Sequence, residues 1–188
     1  MPAKELEIAV IPLLKDNYGY LVHDADTGKT AAVDPSVAPP MLAAAKERGW
    51  RISHILNTHH HWDHTDGNLG IKEATGAIVV GPAYDRERIP GIDQAVDEES
   101  GFNFAGHEAD VLFIPGHTRG HAVLLYRERF LFTGDHLAWS RRLEQLVGFR
   151  DACWYSWSEQ IRSMEKLLDF RFEFVNLAAA RWAGSVQS

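Results

Sequence analysis

The sequence of 188 residues predicts one globular domain of the α/β or α+β class. Two observations predict this class. Apolar runs of strand length alternate with Gly, Pro and charged turn signals along most of the chain, and segments of helix-forming residues stand between strands in two successive halves. A chain of this length with 45% hydrophobic residues can bury a core without disulfides, and its single cysteine can form no internal one. Two sheets packed face to face, with helices outside, would satisfy this order of elements.

The first half of the chain predicts an antiparallel sheet that continues into a strand, helix, strand unit. Strands are predicted at residues 6–11, 18–22, 30–33, 52–56 and 77–80. Helices are predicted at residues 41–48, after two prolines and before Gly49, and at residues 68–75. The polar segment 84–101 is predicted to be a loop.

The second half predicts further strands and one amphipathic helix. The strands are predicted at residues 111–114, 122–126, 130–132 and 172–175. Ser156 and Glu159 have the spacing of a capping box, which predicts that a helix begins just after Ser156. The predicted apolar face of this helix consists of Ile161, Met164, Leu167 and Leu168.

The charge balance and the apolar stretches argue against two classes of partner. Lys and Arg total 19 against 26 Asp and Glu, and no basic run stands out, so we expect no nucleic-acid partner. No stretch approaches the roughly 18 apolar residues of a membrane span, and the first residues lack an apolar signal core. We therefore expect no membrane partner, a cytoplasmic location and a small-molecule substrate. The sequence leaves the oligomeric state open.

The most informative segment is Thr-His-His-His-Trp-Asp-His at residues 58–64, just after a predicted strand. His59 and His61 stand two residues apart on an extended segment, so both side chains can point to one side. Asp63 and His64 follow in the turn and can reach a second centre nearby. The spacing predicts a metal site at the end of this strand.

Two later loops offer matching ligands. His117 lies just after the strand predicted at residues 111–114, and Asp135 just after the strand predicted at residues 130–132. Loops at strand ends are where a rigid scaffold positions functional side chains. Imidazole and carboxylate ligands without thiolate suit zinc, iron or manganese. We expect one or two zinc ions, with iron or manganese as alternatives.

These motifs resemble the metallo-β-lactamase superfamily, and within it the glyoxalase II-like (hydroxyacylglutathione hydrolase-like) enzymes. The matching segments are Lys-Asp-Asn-Tyr-Gly-Tyr at 15–20, Ala-Val-Asp-Pro at 32–35, the His-x-His-x-Asp-His core, His-Thr-x-Gly-His at 117–121 and Thr-Gly-Asp at 133–135. The resemblance implies a four-layer αββα sandwich.

The resemblance also implies a role for each ligand. By this resemblance, the first metal would be bound by His59, His61 and His117. The second would be bound by Asp63 and His64, and Asp135 would bridge the two. His121 would support the first site by orienting the turn that carries His117. His60 and Trp62 would only fill the loop.

The implied chemistry is hydrolysis. A metal ion lowers the pKa of its bound water from about 15.7 toward 7, which supplies hydroxide at neutral pH, and it polarises the carbonyl under attack. Asp63 is the expected catalytic residue, because its carboxylate could help to orient the attacking water. We therefore expect a metal-dependent hydrolase of the thioesterase kind, which uses metal-bound hydroxide on a thioester or small ester.

The chain departs from the family pattern towards its C-terminus. The family supplies one more histidine to the second metal, whereas no histidine follows His136 here. We therefore expect an incomplete second site, a C-terminally abbreviated sandwich over residues 1–176 and an atypical, disordered tail over 177–188. We expect no helical glutathione-binding region, which disfavours S-lactoylglutathione as substrate. The candidate substrate-binding residues are Asn17, Tyr18, Arg141 and Arg142.

Two alternatives remain open at this stage. A mononuclear iron oxidoreductase of the persulfide dioxygenase kind needs two histidines and one carboxylate, which His59, His117 and Asp135 would supply. A degenerate member of the family would bind metal with little activity. The incomplete second site favours the first alternative, and the motif at residues 15–20 favours the hydrolase.

Overall fold

A computed structural model describes residues 6–98, 101–140 and 142–178. The elements of the first half are β1 (Leu6–Leu13), β2 (Asn17–Asp24), β3 (Lys29–Val33), α1 (Ala38–Glu47), β4 (Arg51–Leu56), α2 (Trp62–Thr65), α3 (Asn68–Thr75), β5 (Ile78–Pro82) and β6 (Gln94–Val96). Those of the second half are β7 (Phe102–Phe104), β8 (His107–Phe113), β9 (Ala122–Tyr126), β10 (Phe130–Phe132), β11 (Ala138–Ser140), β12 (Gln145–Val147), α4 (Trp157–Leu167) and β13 (Phe174–Asn176).

The strands form two main sheets and one short ribbon. The first sheet has the order β1-β2-β3-β4-β5-β6, antiparallel from β1 to β3 and parallel from β3 to β6. The second has the order β13-β10-β9-β8-β7 and is antiparallel except for the parallel pair β10 and β13. Strands β11 and β12 pair with each other as a ribbon.

Three apolar clusters define four layers. The inter-sheet cluster includes Tyr20 and Phe132, whose rings meet edge to face with centroids 5.5 Å apart. A second cluster, with Met41 of α1 and Ile71 of α3, covers the outer face of the first sheet. A third, with Leu167 of α4, covers the outer face of the second sheet. Each sheet thus buries both faces, and the predicted αββα sandwich is confirmed.

The predicted strands and helices are confirmed with shifts at their ends, and the errors have local causes. Helix α1 begins at Ala38, earlier than predicted, because Pro39 and Pro40 occupy its first turn, where a missing N–H costs no helical hydrogen bond. The segment 84–101 is not all loop, since it contains β6, which pairs in parallel with β5. The three residues of β6, Gln-Ala-Val, form neither an apolar run like that of β10 nor an alternation long enough to indicate a strand.

The predicted apolar face of α4 is wrong in part. Ile161 and Leu168 are exposed, whereas Gln160 and Ser163 are buried beside the correctly predicted Leu167. Gln160 donates to the carbonyl of His136 at 2.7 Å, and Ser163 donates to the carbonyl of Pro115 at 2.7 Å. Helix α4 therefore satisfies loop carbonyls through polar side chains that a hydrophobic pattern places on the outside. The predicted capping box is present in one half, because the Ser156 hydroxyl accepts from the Glu159 N–H.

The chain after β13 contacts the second strand of the first sheet. The carbonyl of Leu177 accepts from the Tyr20 hydroxyl at 2.6 Å, and the carbonyl of Ala178 accepts from the Tyr18 N–H at 2.7 Å. The first two residues of the predicted tail are therefore held by hydrogen bonds. The rest of that tail lies outside the described residues, and the domain boundary at residue 176 stays a prediction. Within the described residues, no helix is long and apolar enough to cross a membrane.

Candidate metal centre

The side chains of the two ligand groups come from three loops that follow strands. Residues 58–64 follow β4, His117 follows β8 and Asp135 follows β10. Strands β8 and β10 both run antiparallel to β9, so their C-terminal ends lie at the same edge of the second sheet. The backbone N–H of Ala122 donates to the carbonyl of Thr58 at 2.9 Å, which joins the first loop to the second sheet at this edge.

The structure brings the predicted ligands into two groups. In the first, His59, His61, His117 and Asp135 each offer an atom, and these atoms lie within 4.8 Å of one another. Nδ1 of His61 is 3.0 Å from Nε2 of His117, which is 3.5 Å from Oδ2 of Asp135. These distances leave the nitrogens and the carboxylate free to face a common point.

The second group shares a carboxylate with the first. It contains Asp63, His64 and Asp135, again within 4.8 Å. Nε2 of His64 lies 3.3 Å from Oδ2 of Asp135 and 3.8 Å from Oδ2 of Asp63. Asp135 is thus the residue common to both groups, as the resemblance implies.

Unpartnered buried atoms test whether these residues fit a metal ion. Within the described residues, Nε2 of His59 is buried without a hydrogen-bond partner, although Nδ1 of the same ring has one, and Nε2 of His64 has only the contacts with Asp135 at 3.3 Å and with Asp63 at 3.8 Å. Leaving a buried polar atom unpaired costs roughly 1–3 kcal/mol, so such atoms call for a reason. Coordination of a divalent cation by imidazole and carboxylate supplies that reason. The donor set fits a divalent metal.

Asp34 supports the ligand segment 58–64 through contacts with Thr58 and His64, a role that the sequence did not indicate. Its carboxylate accepts from the backbone N–H of Thr58 at 2.8 Å and from the Thr58 hydroxyl at 2.7 Å, and lies 3.1 Å from Nδ1 of His64. Asp34 holds a left-handed backbone with φ of 45° at the end of β3. The Ala-Val-Asp-Pro motif includes Asp34, but the motif does not indicate which residues Asp34 contacts.

Two of the predicted substrate contacts have other partners in the structure. Asn17 is buried, and its amide donates to the backbone carbonyl of Asp63 at 3.0 Å and to Oδ2 of Asp63 at 3.1 Å. The Ser36 hydroxyl donates to the same carbonyl. Tyr18 packs against the inter-sheet core. These contacts favour a role for Asn17 in positioning Asp63, and a substrate contact by Asn17 or Tyr18 stays a prediction.

Of the two predicted arginines, the structure describes Arg142. Arg142 is exposed in the turn between β11 and β12, and Arg141 lies outside the described residues. Trp154 does contact the ligands: its ring centroid is 5.9 Å from that of His61, and its backbone N–H donates to the carbonyl of His117. Trp154 is mostly exposed, so it stands at the rim of the site.

Cys153 stands next to Trp154 but is no candidate nucleophile. Burial raises the pKa of its thiol, although backbone hydrogen bonds act in the other direction. The thiol also donates to the carbonyl of Gly116. A nucleophilic cysteine needs the opposite environment, with a lowered pKa.

Burial and mutual charge set the protonation of the histidines. Burial lowers the pKa of His59 far below its ordinary value, and burial lowers that of His61 to about 4. Burial likewise lowers the pKa of His117, although Asp135 opposes this effect. Neutral imidazole is the form that binds metal, so this environment prepares these three rings for coordination.

His64 and Asp135 form an ion pair in which His64 is buried and Asp135 is partly exposed. Burial acts to lower the pKa of His64, but the carboxylates of Asp135 and Asp34 outweigh it and raise that pKa well above the ordinary value. For Asp135, burial acts to raise the pKa, and the charge of His64 holds it well below the ordinary range. A metal ion at the second group would therefore displace a proton from His64.

Two further histidines line the centre without polar contacts from their rings. Both ring nitrogens of His121 and of His136 are buried without a partner. The His121 ring stacks on that of His59 with centroids 4.7 Å apart and lies 5.7 Å from that of His117. His121 therefore contacts the ligands by ring packing, and the predicted orienting role for the His117 turn stays a prediction.

His60 is not a filler of the loop, which corrects the sequence-based expectation. Its Nδ1 lies 2.9 Å from Oδ2 of Asp85, and its Nε2 lies 3.1 Å from Nη1 of Arg88. Trp62 is mostly exposed. The partners of His60 stand 25 and 28 residues further along the chain, where the sequence predicted only a loop.

The fold and the site together define a class of protein: an αββα sandwich with two histidine and aspartate groups that share one carboxylate at a sheet edge. The sequence profile of the Metallo-beta-lactamase superfamily matches residues 17–173. The chain belongs to this superfamily. The site residues and the family together indicate a divalent metal.

Relatives and solved structures agree with this placement. Two relatives named hydroxyacylglutathione hydrolase, from Methylococcus capsulatus and Rhodospirillum rubrum, are 53% and 51% identical over 133 residues. Each alignment covers 70% of this chain and 52% of the relative, so the chain spans about half the length of these relatives. The BLEG-1 B3 metallo-beta-lactamase superposes with a TM-score of 0.78 at 20% identity, over 93% of this chain and 92% of that one.

Proposed function

We propose that this protein is a metal-dependent hydrolase that cleaves a small thioester. The proposal is carried by one observation: the carboxylate of Asp135 belongs to both ligand groups. Burial lowers the pKa of the three histidines in the first group, whereas the carboxylates of Asp135 and Asp34 raise the pKa of His64 in the second. Two adjacent centres on one bridging carboxylate are the arrangement of hydrolytic two-metal sites. When bound, the metal lowers the pKa of a coordinated water toward 7 and polarises the carbonyl that is attacked.

The chain's own residues would then hold and orient the reactants. In this proposal the first ion is held by His59, His61 and His117, the second by Asp63 and His64, and both by Asp135. Asp63 would also accept a hydrogen bond from the attacking water. Its backbone carbonyl is fixed by Asn17 and Ser36, and its Oδ2 is fixed by Asn17. Such support holds the carboxylate at one angle, which is what water activation requires.

The substrate class rests on the relatives. Because two of them carry the name hydroxyacylglutathione hydrolase at more than 50% identity, hydroxyacylglutathione thioesters are the first substrates to test. This proposal revises the expectation that the sequence disfavours such a substrate. Zinc is the proposed metal, with iron or manganese compatible with the same nitrogen and oxygen donors. A cytoplasmic location is part of the proposal, because glutathione thioesters form from the free glutathione thiol, which a reducing compartment maintains.

The deciding experiment measures metal and activity on one sample. Protein purified without added metal is analysed for zinc, iron and manganese, and then assayed for thioester hydrolysis and for oxygen uptake. We expect bound divalent metal and thioesterase activity. A single iron with oxygen uptake would establish the dioxygenase alternative instead, and bound metal with neither activity would establish a degenerate member.

Matched variants locate the metal. We expect His59→Ala and Asp135→Ala to lose metal and at least 100-fold in thioesterase activity, because each removes a ligand. His107→Ala is the control, since His107 is a partly exposed histidine that belongs to neither group. Unchanged metal content in both ligand variants would overturn the site assignment.

A further inference from the structure

Asp85 is a fully buried carboxylate outside both ligand groups. It ends a single helical turn, Ala83–Asp85, that follows β5. One oxygen lies 2.9 Å from Nδ1 of His60, and the other forms an ion pair with the guanidinium of Arg88. A buried carboxylate costs several kcal/mol unless its partners satisfy it, so these contacts are needed for Asp85 to be buried.

The contacts of His60 are all satisfied by one uncharged tautomer. With the proton on Nδ1, His60 donates to Asp85, and its Nε2 accepts from Nη1 of Arg88 at 3.1 Å. Both nitrogens are then used, so His60 cannot ligate a metal. Its side chain instead binds Asp85 and Arg88, and so ties the backbone between the two ligands His59 and His61 to the segment after β5.

Asp85 also touches the second ligand loop. A Cβ atom at residue 120 would lie 2.2 Å from Oδ1 of Asp85 and 2.5 Å from its Cγ, so the carboxylate packs directly on the Gly120 backbone. Gly120 lies between His117 and His121 in the loop after β8. One buried carboxylate therefore contacts both loops that carry the histidines of the first group.

We propose that Asp85 is a positioning residue that sets the distance between these two loops through His60 and Gly120. Its effect would be to keep His61 and His117 close enough to bind one ion. In the structure, Nδ1 of His61 lies 3.0 Å from Nε2 of His117. This proposal rests on the proposed function, because it assumes a metal at the first group. Displacement of one loop by about 1 Å is enough to spoil a coordination geometry.

The test is zinc affinity, measured by titrating Zn²⁺ into the chelator-treated full chain in competition with a chromophoric chelator. We expect His60→Ala to weaken the tighter site about tenfold, the low end of the range for groups that support ligands indirectly. We expect His60→Asn to restore affinity to within about threefold of wild type, because its amide N–H can replace the Nδ1 donor. We expect Asp85→Asn to resemble His60→Ala, since it turns one of the two acceptors into a donor.

A matched control separates positioning from general stability. Asp93 pairs with Lys72 at 2.6 Å on the surface, and we expect Asp93→Asn to lose that ion pair without changing zinc affinity. Equal affinity in His60→Ala and wild type, or equal loss in His60→Ala and His60→Asn, would overturn the positioning role and leave the proposed function intact. A wild-type chain that binds no zinc, iron or manganese would overturn the proposed function, and the positioning role with it.

Discussion

Oδ2 of Asp34 lies 3.1 Å from Nδ1 of His64, and both side chains are almost completely buried. The same carboxylate accepts two hydrogen bonds from Thr58, the first residue of the ligand segment. Asp34 thus keeps the proton of His64 on Nδ1 and leaves Nε2 facing Asp63 and Asp135. A carboxylate behind a ligating histidine fixes both ring angle and tautomer.

The variant Asp34→Asn tests whether Asp34 sets the tautomer of His64. We expect the variant to fold, because Asn tolerates the left-handed backbone at this position, but to bind zinc at the second group about 10–100-fold more weakly. An amide N–H directed at Nδ1 would move the ring proton to Nε2, where the metal should bind. The measurement is zinc titration, with Asp16→Asn in the exposed turn before β2 as the control. Unchanged affinity in Asp34→Asn would contradict this role.

Acid should destabilise the metal-free protein. Burial lowers the pKa of His59, His61, His117, His121 and His136 below 6.5, to about 4 for His61 and about 3 for His136. The unfolded chain takes up protons as pH falls through about 6.5, while the folded rings stay neutral down to their own pKa. Each such group then lowers the free energy of unfolding by up to about 1.4 kcal/mol per pH unit.

His64 acts in the opposite pH range. Burial lowers its pKa, but the two carboxylates beside it raise the pKa by more, so its stabilisation is fully present below pH 6.5 and is lost as pH rises through the folded value. We expect urea unfolding of the chelator-treated protein to give a lower midpoint at pH 5 than at pH 6.5. The control variant His107→Ala, which removes a partly exposed histidine outside both groups, should keep the same dependence. A midpoint that is flat or rises from pH 6.5 to pH 5 would contradict the buried neutral state.

Metal binding should stabilise the fold. At a free zinc concentration of 100 times Kd, binding to the folded state adds about 2.7 kcal/mol to the free energy of unfolding. For a domain of this size that corresponds to a rise in Tm of about 5–10 °C. Differential scanning calorimetry with zinc, and again after chelation, measures the shift. We expect Asp135→Ala to abolish most of it, because this carboxylate belongs to both groups. The same rise in wild type and in Asp135→Ala would place the bound zinc elsewhere.

Gly134 should not tolerate a side chain, because Thr58 and His121 lie close to its backbone. Its φ is 51°, and a Cβ there would lie 2.4 Å from Oγ1 of Thr58 and 2.8 Å from Nε2 of His121. Gly28 has a similar φ of 69°, but a Cβ there would meet no atom within 4 Å. We expect Gly134→Ala to cost about 1–3 kcal/mol more than Gly28→Ala in urea unfolding, since both share the backbone strain and only one is overpacked. Equal losses would show that Thr58 and His121 can move aside.

Much of the site could be predicted because its ligands are local in sequence. His59, His61, Asp63 and His64 lie within one six-residue segment after β4, and their spacing separates them into two pairs. Asp135 follows a short, fully apolar strand, but its place in the site was predicted only together with the residues 58–64 motif and the family resemblance. The strands themselves follow from apolar runs bounded by turn residues.

The sequence by itself predicted the strands, the helices and the ligands at residues 59–64, because these follow from periodicity and from spacing within one loop. The αββα layers and the roles of His117 and Asp135 were implied by the resemblance to the metallo-β-lactamase superfamily. Tertiary structure alone decided what supports the ligands. Asp34 reaches Thr58 across 24 residues, Asp85 reaches His60 across 25, and Gln160 reaches the carbonyl of His136 across 24. Each of these side chains is buried because a distant loop presents a donor or acceptor to it. No local pattern records such a partner, because the free energy of burying a polar group depends on what the folded chain places beside it.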